Sequence, residues 1–378
     1  MVAYAHTPRP DAAMYIAHLE TGRHRFGGPQ QVLQLMNALA NAGHRNTLYA
    51  ARDSELLAHA RVAGHEIDAV QTGGDLDPTL TARLIRRLRR ARPDILHVHS
   101  RRGADLYGGP AAHAIGVPAV LTRRVDNPLS AMGVRLRFWP YQKIVAISDA
   151  VVAALRAAGV DDERLVLIRD AIDVAPLVLS PERDWVSQAL KVPLGVPLIG
   201  VVAQFIPRKG HALLFDALPS VLAEFPAARV LLFGRGPLEV ELRAATHELG
   251  LAERVVFCGF RDDLARILPC LDLIVHPATA EGMGVALLEA AAAALPVVAF
   301  HAGGVGEVVI DGETGLLVAS GDTAALAGAV CKVLGDRELA RAYGVAARRR
   351  IQASFSVSEH VERHVALYKK LLAVGAPP

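Results

Sequence analysis

The chain has 378 residues, 52% of them hydrophobic and 21% charged, with a formal net charge of +3. That length exceeds one ordinary core and favours two domains of under ~200 residues each. Aromatic residues are only 5% and no nucleic-acid motif is present, which argues against a nucleic-acid partner.

Taken in order, Met14-Tyr15-Ile16-Ala17-His18-Leu19 reads as a buried strand. Gly27 and Gly28 follow, then a helical pattern through Val32, Leu35, Met36 and Leu39 that stops at Ala42-Gly43, with Pro29 in its first turn. A glycine pair between a strand and a helix permits close backbone approach to a phosphate. Asn46 to Ala50 is a second strand. Asp75-Leu76-Asp77 has the Asp-x-Asp spacing of a metal site, but Asp77-Pro78 before a helix from Thr79 to Arg92 is explained by capping. That helix carries Arg83, Arg86, Arg87, Arg89, Arg90 and Arg92, a face for anionic lipid or a phosphorylated acceptor, or simply a solvated surface.

Asp94 to Ser100 is a strand ending in polar residues, where open α/β sheets collect ligand groups. His97-x-His99 could hold a metal, yet no third ligand cluster is evident in the sequence. A structural or substrate-contacting His99 is therefore expected. Further strands run through Val117–Thr122, ahead of Arg123-Arg124, and Lys143–Ser148. Residues 174–195, with Pro176, Pro181 and Pro193, read as a linker. The second half repeats the strand, loop and helix design from Leu198. Its loops hold Gln204, Arg208, Lys209 and Gly210, then Gly234 and Gly236, then Gly259-Phe260-Arg261.

The pattern is clearest at 271–300. A short apolar strand, Leu271 to Val275, leads into His276-Pro277-Ala278-Thr279-Ala280-Glu281-Gly282-Met283-Gly284-Val285 and an alanine-rich helix that stops near Pro296. A strand, a glycine turn and a helix N-terminus form an anion site, because the first helical N–H groups lack partners and the helix dipole is positive there. Glu281 and Glu289 frame that site. Carboxylates in this place suit hydroxyl groups, such as those of a ribose, better than phosphate.

The spacing Pro-x-x-x-Glu-Gly-x-Gly-x-x-x-x-Glu-Ala resembles the donor-site signature of the retaining GT-B glycosyltransferases of family 4. The resemblance implies an α/β protein of the GT-B type, two doubly wound Rossmann-like domains facing a central cleft. The expected domains are 1–175 on the acceptor side, a linker at 176–195 and a nucleotide-sugar-binding domain at 196–355. Residues 356–378 are expected to form a helix returning to the first domain. In the family, the first Glu contacts the sugar, the turn amides contact sugar and phosphates, and the second Glu holds the ribose. These roles fall on Glu281, on Gly282, Met283, Gly284 and Val285, and on Glu289. Lys209, with Arg208 beside it, falls at the diphosphate, where Gln204 stands in place of an arginine. The loops of Gly27-Gly28 and Gly234 would face the ligands, and the base would pack near Phe260. Arg124 stands where the family often has a histidine beside the transferred sugar. Arg169-Asp170-Ala171 stands where a Pro-Asn-Gly hinge is usual.

The implied reaction moves a sugar from a nucleotide-diphospho-sugar to a hydroxyl of a glycan or glycolipid, as in polysaccharide, lipopolysaccharide or glycolipid assembly. Configuration would be retained without a metal or a resident cofactor. Glu281, Lys209, Arg124 and His99 are the expected catalytic residues. A GT-B epimerase or phosphorylase, or a non-catalytic sugar-nucleotide-binding protein, would share the architecture. The three cysteines, Cys258, Cys270 and Cys331, lack disulfide spacing and read as reduced, buried thiols. The N-terminus lacks a basic segment followed by an apolar core, so no signal peptide is expected, and no window is long enough for a transmembrane helix. A cytoplasmic protein, with peripheral membrane contact as one option, is the corresponding expectation.

Overall fold

A computed structural model describes residues 13–99, 103–126 and 130–374. The N-terminal stretch read for a signal peptide and Ser100 lie outside the described residues. The chain divides into two units, Met1–Ala171 with Val357–Pro378, and Ile172–Ser356.

The first unit holds a seven-stranded sheet of β1 (Tyr15–Glu20), β2 (Arg45–Ala51), β3 (Glu66–Val70), β4 (Ile95–Val98), β5 (Ala119–Arg123), β6 (Lys143–Ala146) and β7 (Leu165–Leu167). Its order is β3-β2-β1-β4-β5-β6-β7 and neighbouring strands pair in parallel. Strand order reverses between β1 and β4, so a crevice opens at their carboxyl ends. The second unit holds six parallel strands, β8 (Leu198–Val202), β9 (Arg229–Phe233), β10 (Val255–Gly259), β11 (Leu273–His276), β12 (Val297–Phe300) and β13 (Gly315–Val318). Their order, β10-β9-β8-β11-β12-β13, reverses between β8 and β11. Helices cover sheets of this kind on both faces, which is why most of their strands read as nearly continuous apolar runs.

The C-terminal helix Val357–Val374 belongs to the first unit. Leu367, Tyr368 and Leu371 enter the core made by Ile16, Leu35, Leu39, Ile95, Val120 and Val145. Burying each such side chain stabilises the unit by roughly 1.5–3 kcal/mol, so the helix is an integral part of it. The second unit has its own core around Phe205, Phe215, Leu232, Leu273, Val298 and Phe300.

Residues read as a linker, 176–195, carry the helix Arg183–Leu190 and belong to the second unit. Val186 and Leu190 are buried there, and Arg183 donates to Asp272. Gly27 and Gly28 open the helix Gly27–Asn41 rather than forming a loop before it. The arginine-rich helix is Thr79–Ala91, burying Leu80, Leu84 and Leu88. Asp77 accepts from the Thr79 N–H at 3.1 Å, from the Gly73 N–H at 2.7 Å and from Arg83, so its carboxylate serves local structure. Arg87 is likewise occupied, with Asp68 at 2.9 Å. The three cysteines are free thiols, of which only Cys270 is fully buried.

Candidate functional site

In the second unit the loops after β8 and β11 meet at the strand-order reversal. Pro207–Lys209 form a single 3-10 turn, and Gly210 follows with φ +69°. A Cβ at Gly210 would lie 1.8 Å from the Pro277 carbonyl oxygen, so only glycine lets the two loops approach this closely. The approach places Lys209 against Glu281. The Lys209 ammonium donates to Glu281 Oε2, and His276 Nε2 lies 3.0 Å from the same oxygen. Arg208 points elsewhere, donating to the Ala280 carbonyl at 3.0 Å, while the Thr279 N–H donates to Arg208 O at 2.9 Å. The Glu281 carbonyl accepts from the Gly304 N–H at 2.9 Å, tying in the loop after β12.

Glu281 is only 7% exposed. Burial opposes its charge, but Lys209 and His276 outweigh that and hold its carboxyl well below the usual carboxylate range. Burial lowers His276 despite the neighbouring carboxylate, which describes a neutral imidazole donating Nε2–H to an ionised Glu281. His276 is a site residue that the sequence hardly marks. Its only signal is its place at the end of β11, five residues before Glu281.

The helix Val285–Ala292 begins at Gly284, which has φ +91° and would bring a Cβ to 2.9 Å from Leu287. In its first turn the Leu287 N–H already donates to Gly284 O at 2.9 Å, which leaves the N–H groups of Val285 and Ala286 as the orphan donors of this helix start. Gly282 and Met283 are buried. Glu289 is half-buried in this helix, between buried Leu288 and Ala290. Gln204 is half-buried in the loop after β8. Gly234 follows β9, its N–H donating to Gly259 O at 2.9 Å. Phe260, 36% exposed, follows β10 with the Arg235 guanidinium 5.1 Å from its ring centroid. Lys209, Glu281 and the Gly284 turn therefore form one group. Gly234 and Phe260 stand at the same sheet edge on the far side of β8.

In the first unit, His99 follows β4, and its N–H donates to Leu19 O at the end of β1, 2.9 Å away. Arg124 follows β5 and pairs with buried Asp170. A Cβ on Gly28 would meet Arg124 Cδ at 3.4 Å, an ordinary contact, which places the helix start beside this arginine. Arg124 and Asp170, both departures from the family pattern, are partners 46 residues apart.

The structure corrects one expectation, that no third ligand lies near His97 and His99. His18 on β1 pairs with His97 across the sheet, and ring nitrogens of His18, His97 and His99 lie within 4.8 Å of one another. Five of the six ring nitrogens are hydrogen-bonded. His18 bonds to Asn46 and His99 at 3.0 Å each, and His97 to Thr122 and Tyr368 at 2.6 Å each. A metal would have to displace these bonds, so the cluster reads as a polar network.

Two family models match. One described as "Glycosyltransferase Family 4" covers residues 27–175, and one described as "Glycosyl transferases group 1" covers 196–336. The chain is 31% identical to an alpha-maltose-1-phosphate synthase of Mycolicibacterium smegmatis over 74% of this chain and 79% of that protein. It is 31% identical to a phosphatidyl-myo-inositol mannosyltransferase of Mycobacterium leprae over 88% and 91%. The fold matches Anabaena HepE, solved in complex with UDP and glucose, with TM-score 0.85 and 21% identity over 94% of this chain and 100% of the other. With two parallel Rossmann-like sheets and the Lys209–Glu281 site at the switch point of the second, the chain belongs to the family 4 glycosyltransferases of the GT-B fold.

Proposed function

We propose that the chain transfers a sugar from a nucleotide-diphospho-sugar to a hydroxyl of a glycan or glycolipid, with retention of configuration and without a metal. The observation that carries this reading is Lys209 held against Glu281 beside the N-terminus of the helix Val285–Ala292. Lys209 and the first-turn amides supply positive potential for a diphosphate leaving group. Glu281, kept ionised, offers acceptor oxygens for sugar hydroxyls, and Glu289 suits the ribose. The departing phosphate would take the proton of the attacking hydroxyl on the same face of the sugar. The described residues provide ion pairs or structural bonds for Asp77, so the Asp-x-Asp run gives no support to a metal. A cytoplasmic location follows from nucleotide-sugar use. The test is incubation with radiolabelled UDP-, GDP- and ADP-sugars in EDTA, following slow donor hydrolysis. Consumption of one donor supports the reading; nucleotide binding with no donor consumed would make the chain a binding module.

A peripheral contact with anionic membrane belongs to the same reading. On the helix Ala131–Phe138, Val134 and Phe138 face inward, while Met132, Leu136 and Trp139 make an outward stripe that is 81%, 63% and 51% exposed. Exposed Arg135 lies beside that stripe. The arginine-rich helix packs on the same neighbour, Ala104–His113. Apolar side chains flanked by arginine suit the boundary of an anionic bilayer. Among the described residues no helix is long and apolar enough to cross a membrane.

A further inference from the structure

His99 ends a directional chain of hydrogen bonds. The Asn46 side-chain amide donates to His44 O at 3.1 Å and Met36 O at 3.4 Å, so its carbonyl oxygen is the atom facing His18. That oxygen can only accept, so His18 carries its proton on Nε2, 3.0 Å away. Neutral His18 then presents an Nδ1 lone pair, and His99 Nε2, 3.0 Å from it, must be the donor. His99 is thereby left with its proton on Nε2 and a bare lone pair on Nδ1. That Nδ1 is buried and has no partner among the described residues. Asn46, His18 and His99 are 5%, 0% and 4% exposed, so bulk water does not scramble the arrangement. Burial also lowers His18 to about 4 and His99 well below its ordinary value, so both are neutral at pH 7.

An unpaired buried acceptor is costly and calls for a partner that arrives from outside. The position of His99 says where from. It stands at the carboxyl end of β4 next to β1, the point of strand-order reversal where open α/β sheets receive ligands. We propose that Asn46 and His18 are positioning residues that lock His99 as the Nε2–H tautomer, leaving Nδ1 to accept one hydroxyl of the sugar or the acceptor. This rests on the glycosyl-transfer reading for the identity of the hydroxyl; the tautomer lock stands on the hydrogen bonds alone. His97, on the same strand face, cannot serve in its place, because Thr122 and Tyr368 occupy both its nitrogens.

The test uses the full chain with 15N-labelled histidine and donor hydrolysis of UDP-glucose, GDP-mannose and ADP-glucose. Two-bond 15N–1H spectra should show His18 and His99 with protons on Nε2, the His99 signals being assigned from a His99→Gln variant. The His99 Nδ1 shift should move when the consumed donor is added. Asn46→Leu removes the acceptor that orients the chain. It should populate the Nδ1–H form of His99 and lower kcat about tenfold, the worth of one hydrogen bond, with KM for the donor little changed. Asn46→Asp keeps an accepting oxygen but gives up both amide donations, and should restore tautomer and kcat together. Equal impairment in the two variants would assign Asn46 a purely structural role and overturn the proposal. So would a wild-type His99 protonated on Nδ1, a reading that needs no variant to fold, or an Nδ1 shift indifferent to donor. Failure of the wild type to consume any donor would instead overturn the functional reading, while the spectra still decide the lock.

Discussion

Replacing Lys209 with methionine keeps the bulk of the side chain and removes its charge from Glu281. The two side chains are 11% and 9% exposed, so the ion pair is shielded from solvent. Removing one partner of a buried pair costs ~3–5 kcal/mol, because the remaining charge is stranded. Here Glu281 Oε2 keeps His276 Nε2 at 3.0 Å, which places the loss near the lower end, about 3 kcal/mol. For a unit of this size that is a fall in Tm of roughly 6–12 °C. Activity should fall further than stability explains, by about 10²–10³ in kcat, because a preorganised cation at the leaving phosphate is lost. The double variant Lys209→Met/Glu281→Gln checks the stability part, since kcat is low there for loss of Glu281 as well. It removes the stranded carboxylate, so Tm should return most of the way while kcat stays low. Arg208→Ala, which loses only the bond to Ala280 O, is the matched control and should cost far less in kcat. Scanning calorimetry and steady-state donor hydrolysis provide both readouts. Near-normal kcat in Lys209→Met would show that Lys209 acts only as a counter-ion for Glu281.

Glu289→Gln should weaken nucleoside-diphosphate binding by about 1–3 kcal/mol in calorimetry; unchanged affinity in a folded variant would leave Glu289 a structural residue. Acid should destabilise the first unit. Burial depresses His18, His97, His99, His360 and His364 below their unfolded value of 6.5, so the unfolded chain binds protons first and stability is lost as pH falls through 6.5 towards the folded values. His18 alone, lowered to about 4, accounts for about 2 kcal/mol between pH 8 and pH 5. Urea titrations should show this, and a midpoint flat over that range would mean the cluster is not buried neutral. Met132→Ser/Leu136→Ser should reduce sedimentation with phosphatidylglycerol vesicles, leaving solution donor hydrolysis intact; equal sedimentation of both proteins would remove the membrane assignment from this helix.

What the sequence made legible was local. The β11 strand, the Gly284 turn and the helix after it sit within one continuous stretch, and apolar length plus glycine spacing mark their ends. Lys209-Gly210 was legible for the same reason, although the need for glycine there, a carbonyl pressed against it from Pro277, was not. Contacts across the sheet left no mark. Arg124 and Asp170 each looked like an isolated departure until the fold paired them. His18 looked like one polar residue in a strand, yet parallel pairing with His97 and closeness to His99 make it part of the histidine network. Prolines on both sides of 183–190 suggested a linker, while Val186 and Leu190, four residues apart, bury one face of a helix. Sequence separation hides these partners, because a strand's neighbour is set by topology rather than by spacing.

Transfer from a nucleotide-sugar at the Lys209–Glu281 site, with retention of configuration, is open to direct measurement. An early-time 1H NMR course of the sugar released from UDP-, GDP- and ADP-α-sugars, run for the wild type and for Glu281→Gln, tests it most directly. One donor should be consumed, the α-anomer should appear before mutarotation, and Glu281→Gln should slow its appearance on the order of 10²-fold. Release of the β-anomer first, or an undiminished rate in Glu281→Gln, would contradict it.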